Sequence, residues 1–186
     1  MFWADHRAVA EAQAEGDRTG DPARHDWRRD AIAATRQVSA VAIPDGHPAE
    51  VSARMLDLAF GHDLYGEAAR LLSPIAEIRW PANRHGSGRG YWVGCLTQLR
   101  AALYDTRWRL DHFAARPLPH GEVAVALRWS LTRRHVGEGV WGPPSARDLN
   151  VMGVSHYRLR SGVIVADTTV FDEIAVLRQI AGELGA

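Results

Sequence analysis

The 186-residue sequence contains no lysine and a single cysteine, Cys95. One cysteine cannot form an intramolecular disulfide, and beside Val93 and Leu96 it is typical of a small buried hydrophobic residue. All 22 basic residues are arginines, and 22 acidic residues balance them, so the formal net charge is zero. A chain without net charge creates no overall field that attracts nucleic acid or an anionic membrane.

The sequence also lacks the marks of a membrane or secreted protein. No stretch approaches the ~18 apolar residues of a membrane helix, and residues 1–18 carry acids instead of a basic and then apolar signal pattern. We therefore expect no membrane partner, no nucleic-acid partner and a cytoplasmic location. Because no H-x-x-x-H or C-x-x-C spacing occurs, we also expect no metal site. Separately, we expect no cofactor.

The pattern of the chain changes near residue 48. Residues 1–21 and 26–40 have the composition of helices, and AIPDGHP (42–48) is typical of a linker. We therefore divide the chain into a helical extension with its linker, 1–47, and a domain, 48–186. The elements predicted in the domain are helices at 51–59, 67–72 and 91–104, a loop at 83–90, strands at 75–80, 108–117, 123–132, 149–160 and 163–171, a hairpin connection at 133–148, and a closing helix after Asp172.

This order of elements predicts an α+β fold in which a curved antiparallel sheet wraps around helices. Asp172 can cap the closing helix, whose Leu177, Ile180, Ala181 and Leu184 are expected to face the core. A half-barrel of this kind leaves a cavity between the concave sheet face and the helices, and such a cavity suits a small molecule.

Residues 125–180 carry a resemblance to a known family. They read VALRWSLTRRHVGEGVWGPPSARDLNVMGVSHYRLRSGVIVADTTVFDEIAVLRQI. The residues that carry the resemblance are RW in the strand 123–132, His135 and Gly137, the GPP of the hairpin connection, the GVSHYRL strand, the SG turn and VFDEIAVLRQI. Together they resemble the SnoaL-like polyketide cyclases of the nuclear transport factor 2 (NTF2-like, cystatin-like cone) superfamily, over roughly residues 48–182. The resemblance implies the cone fold and a homodimer formed through the convex sheet face.

A repeated segment also agrees with this family resemblance. DAIAATRQVSA (30–40) and DEIAVLRQIAG (172–182) share Asp, Ile, Ala, Arg and Gln in register. The family domain is about as long as the distance between them, and some relatives carry two domains in tandem. The resemblance therefore implies that residues 26–40 correspond to the closing helix of an upstream copy. The alternative is a chance match between two amphipathic helices. In either case we expect residues 1–40 to pack on the outside of the cone or on a second subunit.

Strand alternation selects the candidate catalytic residues. Family cyclases place a histidine and an aspartate where this sequence has Ser155 and Thr169, and neither of these is a general base near neutral pH. Asp167 lies two residues before Thr169 on the same face of its strand, so it is the replacement acid–base candidate. The alternative for Asp167 is an exposed or hydrogen-bonded carboxylate at a strand edge. Tyr157 can donate a hydrogen bond to a substrate carbonyl, or can be an ordinary core aromatic.

The remaining candidates concern the lining of the cavity and its surroundings. Trp80, Trp108 and Trp129 fall on predicted strands and can line the concave face, either as core packing or as a pocket for a flat apolar ligand. His156 has the opposite parity and is expected at the surface or in an interface. His135 is expected in the hairpin connection, where it orders the loop.

Two functions remain open on these residues. The first is a cofactor-independent enzyme resembling polyketide cyclases, which binds an apolar carbonyl compound and performs aldol-type cyclisation, isomerisation, or dehydration or hydration through Asp167 and Tyr157. The second is a non-catalytic cone domain that binds a small ligand or a protein partner, since both family acid–base positions are replaced.

Overall fold

The computed structural model describes residues 41–182. The helices predicted at 1–21 and 26–40, their expected packing and Leu184 lie outside the described residues. The elements in chain order are helix α1 (Ala49–Leu56), which continues as a π-helical turn (Asp57–Gly61), helix α2 (Tyr65–Ala69), strands β1 (Leu72–Trp80) and β2 (Arg84–Ser87), helix α3 (Gly88–Ala101), strands β3 (Leu103–Pro117), β4 (Glu122–His135), β5 (Asp148–Arg160) and β6 (Val163–Phe171), and helix α4 (Glu173–Ala181).

The six strands form one curved, open sheet in the order β2-β1-β6-β5-β4-β3. Strands β1 and β6 pair in parallel, and every other neighbouring pair is antiparallel. The predicted α+β class and the sheet wrapped around helices are confirmed. The parallel pair arises because β1 and β6 come from distant parts of the chain, whereas β3 to β6 follow one another as hairpins.

Alternation along the three central strands determines which side chains face the interior. On β4, Leu127, Trp129 and Leu131 are buried, whereas Arg128 and Thr132, on the opposite face of the strand, are exposed. The same alternation continues across β5 and β6 because the strands are paired in register. It buries Ser155, Tyr157, Asp167 and Thr169 on the concave face and leaves His156 exposed, as the parity predicted.

The helices cover this concave face. Helix α1 begins directly after Pro48, whose φ of −55° suits a first turn. Its buried side includes Met55 and Leu56, so the helix predicted from the spacing of apolar residues is confirmed. Helix α2 begins two residues before the predicted 67–72 and is shorter, because Leu72 already pairs in the sheet as the first residue of β1.

The loop predicted at 83–90 is wrong. Arg84–Ser87 pairs with β1 as strand β2, and α3 begins at once with Gly88. Gly88 has a φ of +85°, and a Cβ there would meet the Pro74 carbonyl oxygen at 2.7 Å. Glycine is therefore needed for the sharp change from strand to helix. The helix consequently lies about three residues earlier than the predicted 91–104, and Leu103 belongs to β3 instead.

The expectation that Leu177, Ile180 and Ala181 face the core is also wrong. Val176 is the buried residue of α4, Leu177 is 46% exposed, Ile180 is half-buried and Ala181 is exposed. The helix is therefore not fixed mainly by an apolar face.

Polar contacts hold α4 instead. The Asp172 Oδ1 atom accepts a hydrogen bond from the Ala175 N–H at 2.9 Å, so the predicted N-terminal cap is confirmed. At the other end, the Gln179 side chain accepts from the Asn150 N–H and donates to the Asn150 carbonyl, at 2.8 and 3.0 Å. These two bonds fix α4 along the backbone of β5.

Candidate functional site

Asp167 lies in the interior of the cone, on the last strand. Its side chain is only 1% exposed. One carboxylate oxygen, Oδ2, accepts hydrogen bonds from the indole N–H groups of Trp80 at 3.0 Å and Trp92 at 2.9 Å. The other oxygen, Oδ1, accepts from the Thr169 hydroxyl at 2.8 Å. The three groups that donate hydrogen bonds to this carboxyl are therefore all uncharged.

A chain of hydrogen bonds extends from Asp167 across the sheet. Because the Thr169 hydroxyl hydrogen is directed to Asp167, the Ser155 hydroxyl donates to Thr169 Oγ1, at 2.7 Å. Ser155 in turn accepts from the Trp129 indole N–H at 3.0 Å. The chain thus links β4, β5 and β6, and the indoles of Trp80 and Trp92 add β1 and α3. We call these six residues (Trp80, Trp92, Trp129, Ser155, Asp167 and Thr169) the Asp167 network.

Burial changes the acidity of this carboxyl. It raises the pKa of Asp167 from 3.8 to about 6, and the hydrogen bonds from Trp80, Thr169 and Trp92 limit the rise because they favour the charged form. A carboxyl with a pKa near 6 changes its protonation state close to neutral pH. A pKa in this range is the property expected of a side chain that acts as a general acid or base.

Tyr157 lies next to the network on β5, opposite Asp167 in the strand pairing. Its side chain is 2% exposed, and its hydroxyl lies near the Ser155 and Thr169 hydroxyls without the geometry of a hydrogen bond to any described residue. Burial raises the pKa of Tyr157 well above 10, and the nearby charge of Asp167 adds to the rise. The phenol therefore stays protonated and retains a hydrogen to donate.

The predicted tryptophans all lie in the interior, with exposures of 6% or less. Trp80 and Trp129 belong to the Asp167 network. Trp108 does not, because its indole N–H is buried without a hydrogen-bond partner in the described part of the chain. Sequence reasoning missed Trp92. It lies four and seven residues before Leu96 and Leu99 on the buried side of α3, a helical spacing that could have identified it.

A small cavity lies beside the network, inside the same sheet. Its volume is about 10 Å³, which is room for about one water molecule. Its walls are apolar side chains with two guanidinium groups, and the lining residues are Phe60, Tyr65, Leu96, Leu99, Arg100, Leu103 and Arg133. Phe60 also packs against Trp129, with 5.7 Å between ring centroids. The cavity and the Asp167 network therefore meet at this pair of rings.

The expectation that His135 lies in the hairpin connection is wrong, because β4 continues to this residue. Its side chain is fully buried, and Nδ1 accepts a hydrogen bond from the Ser145 N–H at 3.2 Å. His135 therefore orders the following loop, as expected, but from a position on the strand. Burial lowers the pKa of His135, so its neutral form is favoured. The same extension of β4 places Arg133 on the concave side.

Two further observations concern metals and membranes. Within residues 41–182, no three His, Cys, Asp or Glu side chains are grouped as metal ligands. Among the helices that the structure describes, none is both long enough and apolar enough to cross a lipid bilayer.

The fold is that of the SnoaL-like cone proteins, as comparison with solved structures shows. A candidate SnoaL-like polyketide cyclase from Jannaschia sp. CCS1 matches with a TM-score of 0.62 and 18% identity, over 72% of this chain and 91% of that one. IdmH, a candidate polyketide cyclase from Streptomyces antibioticus, matches with a TM-score of 0.61 and 23% identity, over 73% and 99%.

A third similar structure is AclR from Streptomyces galilaeus, a candidate hydroxylase. It matches with a TM-score of 0.61 and 20% identity, over 75% of this chain and 83% of that one. No protein-family model matches the sequence, and no curated protein matches it. These likenesses establish the fold, and the different activities named for the three proteins mean that the reaction must be argued from the residues.

Proposed function

We propose that the chain is a cofactor-independent enzyme that binds an apolar carbonyl compound inside the cone and transfers a proton through Asp167. The reaction would be an aldol-type cyclisation, an isomerisation, or a dehydration or hydration. One observation carries the proposal: the buried Asp167 carboxyl has uncharged hydrogen-bond partners and a pKa raised to about 6.

Asp167 would act as the base. Above its pKa the carboxylate can take a proton from the carbon next to a substrate carbonyl, and a pKa near the working pH gives both a large ionised fraction and useful basicity. The Tyr157 hydroxyl would stabilise the enolate, because a buried donor without a partner can form a hydrogen bond as charge develops on the carbonyl oxygen.

The hydroxyl chain can support the change of protonation state. Once Asp167 is protonated on Oδ1, it can donate to Thr169, and Thr169 can then donate to Ser155. The Ser155 hydrogen is thereby released toward the neighbouring Tyr157 hydroxyl. Ser155 and Thr169 thus replace the ionisable pair of the family cyclases as hydrogen-bond relays and not as bases.

Substrate entry requires the interior to open. The indoles of Trp80 and Trp92 cover one oxygen of Asp167, and the described cavity is no larger than a water molecule. A flat apolar ligand would replace contacts among the tryptophans, with Trp80, Trp108 and Trp129 as its aromatic walls.

The test uses a panel of apolar aromatic ketones in D2O. If Asp167 removes a proton next to the carbonyl, the wild-type protein will speed incorporation of deuterium at that carbon, measured by NMR. Asp167→Asn should lower this rate by about a hundredfold or more, the usual range for loss of a general base. Asp148→Asn is the matched control, because Asp148 is an exposed aspartate on β5 that is paired with Arg134.

Equal exchange in the wild type and in Asp167→Asn would contradict a role for this carboxyl as the base. No exchange and no ligand-induced thermal shift across the panel would favour the second candidate, a non-catalytic cone domain. One observation supports that alternative: both oxygens of Asp167 already have hydrogen-bond donors, as they would in a purely structural core network.

The assembly and the location stay predictions. We expect a homodimer through the convex face of the sheet, where Met152 is 65% exposed and Val170 is 54% exposed. Size-exclusion chromatography with light scattering of wild type and Met152→Glu would test it, since a buried glutamate would weaken the dimer. We also retain the domain division at residues 47 and 48 and the cytoplasmic location as predictions.

A further inference from the structure

The connection between β4 and β5 carries one buried aromatic side chain, Trp141, on an otherwise exposed segment. Trp141 is 8% exposed, whereas Val140 before it is 38% exposed and the two prolines after Gly142 are exposed as well. The Trp141 ring packs edge-on against the ring of Phe171 at the end of β6, with 6.4 Å between the centroids. A segment at the surface is therefore joined to the interior through one aromatic side chain.

A single ring, that of Phe171, separates Trp141 from the Asp167 network. Phe171 is half-buried, and its centroid lies 6.4 Å from that of Trp129. Trp129 belongs to the network and also packs against Phe60, which lines the small cavity. Displacement of Trp141 would therefore uncover Phe171 and bring an apolar molecule to the first ring of the network.

Hydrogen bonds fix the connection at both of its ends. At the first end, the Val136 N–H donates to the Ala102 carbonyl at 3.2 Å. At the second end, the Ser145 N–H donates to Nδ1 of His135 at 3.2 Å, and the Ala146 N–H donates to the His135 carbonyl at 2.8 Å. These bonds hold the ends of the connection against α3 and β4.

Residues 140–144, which we call the lid, are held by fewer contacts. In the part of the chain that the structure describes, one hydrogen bond joins the lid to other residues, from the Gly142 N–H to the Gly139 carbonyl at 3.2 Å. The Trp141 indole N–H is buried without an acceptor among residues 41–182. A buried donor without an acceptor destabilises the closed lid, and water would satisfy this donor when the lid opens. Opening therefore costs the apolar burial of one side chain and at most one hydrogen bond.

We propose that the lid opens the interior of the cone to small apolar molecules, and that Trp141 leaves its place against Phe171 when it does so. Gly142, which has a φ of +90° in the closed lid, would act as the hinge, because glycine changes its backbone angles at little cost. The use of this opening as a substrate entrance rests on the proposed function, whereas the opening itself does not.

The other tryptophans of the interior are harder to displace. The indoles of Trp80 and Trp92 donate to the Asp167 carboxyl, so moving either would leave a buried acid with fewer donors. Trp108 lies on β3, whose backbone is paired with β4. Trp141 can move without breaking a strand pairing or a hydrogen bond of its own side chain to any described residue.

Exchange of the indole N–H groups with D2O, followed by heteronuclear NMR, measures the opening directly. Trp108 is the matched control, because its indole N–H is also buried without an acceptor among the described residues, but on a strand. The Trp141 N–H should exchange at least about tenfold faster than the Trp108 N–H, since only the lid opens locally. Trp141→Phe and Trp108→Phe assign the two signals. Equal exchange rates at the two indoles would overturn the proposal.

Gly142→Ala changes the opening without changing a contact of the lid. A Cβ at this position would meet nothing within 4 Å, so the substitution acts through the positive φ of the closed lid, which alanine disfavours. Exchange at Trp141 should become severalfold faster, and exchange at Trp108 should stay the same. Gly162→Ala replaces another glycine of positive φ with open space around it, and it should change neither rate. An unchanged Trp141 rate in Gly142→Ala would contradict the hinge.

Stopped-flow mixing with acetophenone, a small aromatic ketone, tests whether molecules enter at the lid. Because the open state is more populated in Gly142→Ala, association should accelerate by the same factor as exchange at Trp141. Equal association rates in the wild type and in Gly142→Ala would show that the ketone enters elsewhere and would overturn the entrance. If neither protein binds acetophenone, the proposed function fails for this ketone, and the exchange rates decide whether the lid opens.

Discussion

The interior of the cone contains two polar regions, the Asp167 network and the pair formed by Arg133 and Arg100. They accommodate ionisable groups in opposite ways. The Asp167 network surrounds an acid with neutral donors, and the pKa of that acid rises to about 6. At the other end of β4, Arg133 and Arg100 donate to the Leu103 carbonyl and stay charged. The first region can therefore change its charge near neutral pH, whereas the second can only hold a charge in place.

The difference assigns different chemistry to the two regions. A group that titrates near neutral pH can exchange protons with a substrate, and a permanent cation can position an anion. Phe60 lines the cavity and packs against Trp129, which ends the Asp167 network. Changes at this ring pair are the most direct way to disturb both regions at once.

Trp129→Ala is expected to have the largest effect on stability. The side chain is 1% exposed and contacts Phe60 and Phe171, so its removal should lower the free energy of unfolding by about 3–5 kcal/mol. Urea denaturation at constant pH will measure the loss. Trp129→Phe is the control, because it keeps most of the packing and loses the hydrogen bond to Ser155, and it should cost about 1 kcal/mol. Equal losses in the two variants would mean that the hydrogen bond to Ser155, and not the packing of the indole ring, supplies most of the stability that Trp129 contributes.

The pH dependence of stability separates the titrating region from the permanent cations. The pKa of Asp167 is about 6 in the folded protein and near 3.8 when unperturbed, so the folded state binds this proton more tightly. Its contribution to stability is therefore complete below pH 4 and is lost as the pH rises to about 6. The expected loss is about 3 kcal/mol.

Asp167→Asn cannot titrate at this position and provides the reference. The free energy of unfolding of the wild type, minus that of Asp167→Asn, should fall between pH 4 and 6 and then stay constant. Subtraction cancels the other carboxyls, and Asp148→Asn should parallel the wild type. A difference that rises with pH would show that Asp167 is stabilised in its charged form, and a flat difference would show that folding does not shift its pKa.

Gly153→Ala tests how the backbone sets the position of the Trp129 indole. Gly153 pairs with Trp129 across β4 and β5, and a Cβ at Gly153 would lie 2.2 Å from Cζ2 of the indole. The ring must therefore move, at a cost of about 1–3 kcal/mol. Gly94→Ala, at an exposed position of α3, is the control, because Gly94 has no positive φ and a Cβ there would meet nothing within 4 Å. A loss at Gly94 as large as that at Gly153 would contradict the close packing of the indole.

Strand alternation was sufficient to place five of the six residues of the Asp167 network in the interior from the sequence. The side chains of a paired strand must alternate between two faces, so Ser155, Thr169 and Asp167 could be placed inside before any contact was known. Burial of Trp80 and Trp129 followed from the same rule. The hydrogen bonds among these residues could not be predicted, because they depend on distances between strands and on side-chain rotamers.

Sequence reasoning missed two residues of the interior. Arg133 continues the inward alternation of Trp129 and Leu131, but the charged pair RR indicated that the strand ends at residue 132. Tertiary packing extends β4 past this pair, so the boundary could not be located from charge alone. Trp92 lies inside the predicted helix 91–104, four and seven residues before Leu96 and Leu99, so its burial could have been predicted.

Tyr157→Phe should have the smallest effect on stability and a large effect on the proposed reaction. The hydroxyl is buried without a hydrogen-bond partner among residues 41–182, so its removal should change the free energy of unfolding by less than about 1 kcal/mol and can even raise it. Deuterium exchange should nevertheless fall by about tenfold or more, because the enolate loses its donor. Denaturation and exchange measured on one preparation will separate the two effects. A loss of stability well above 1 kcal/mol would mean that the hydroxyl stabilises the core. Tyr157 would then have a structural role like that of Trp129.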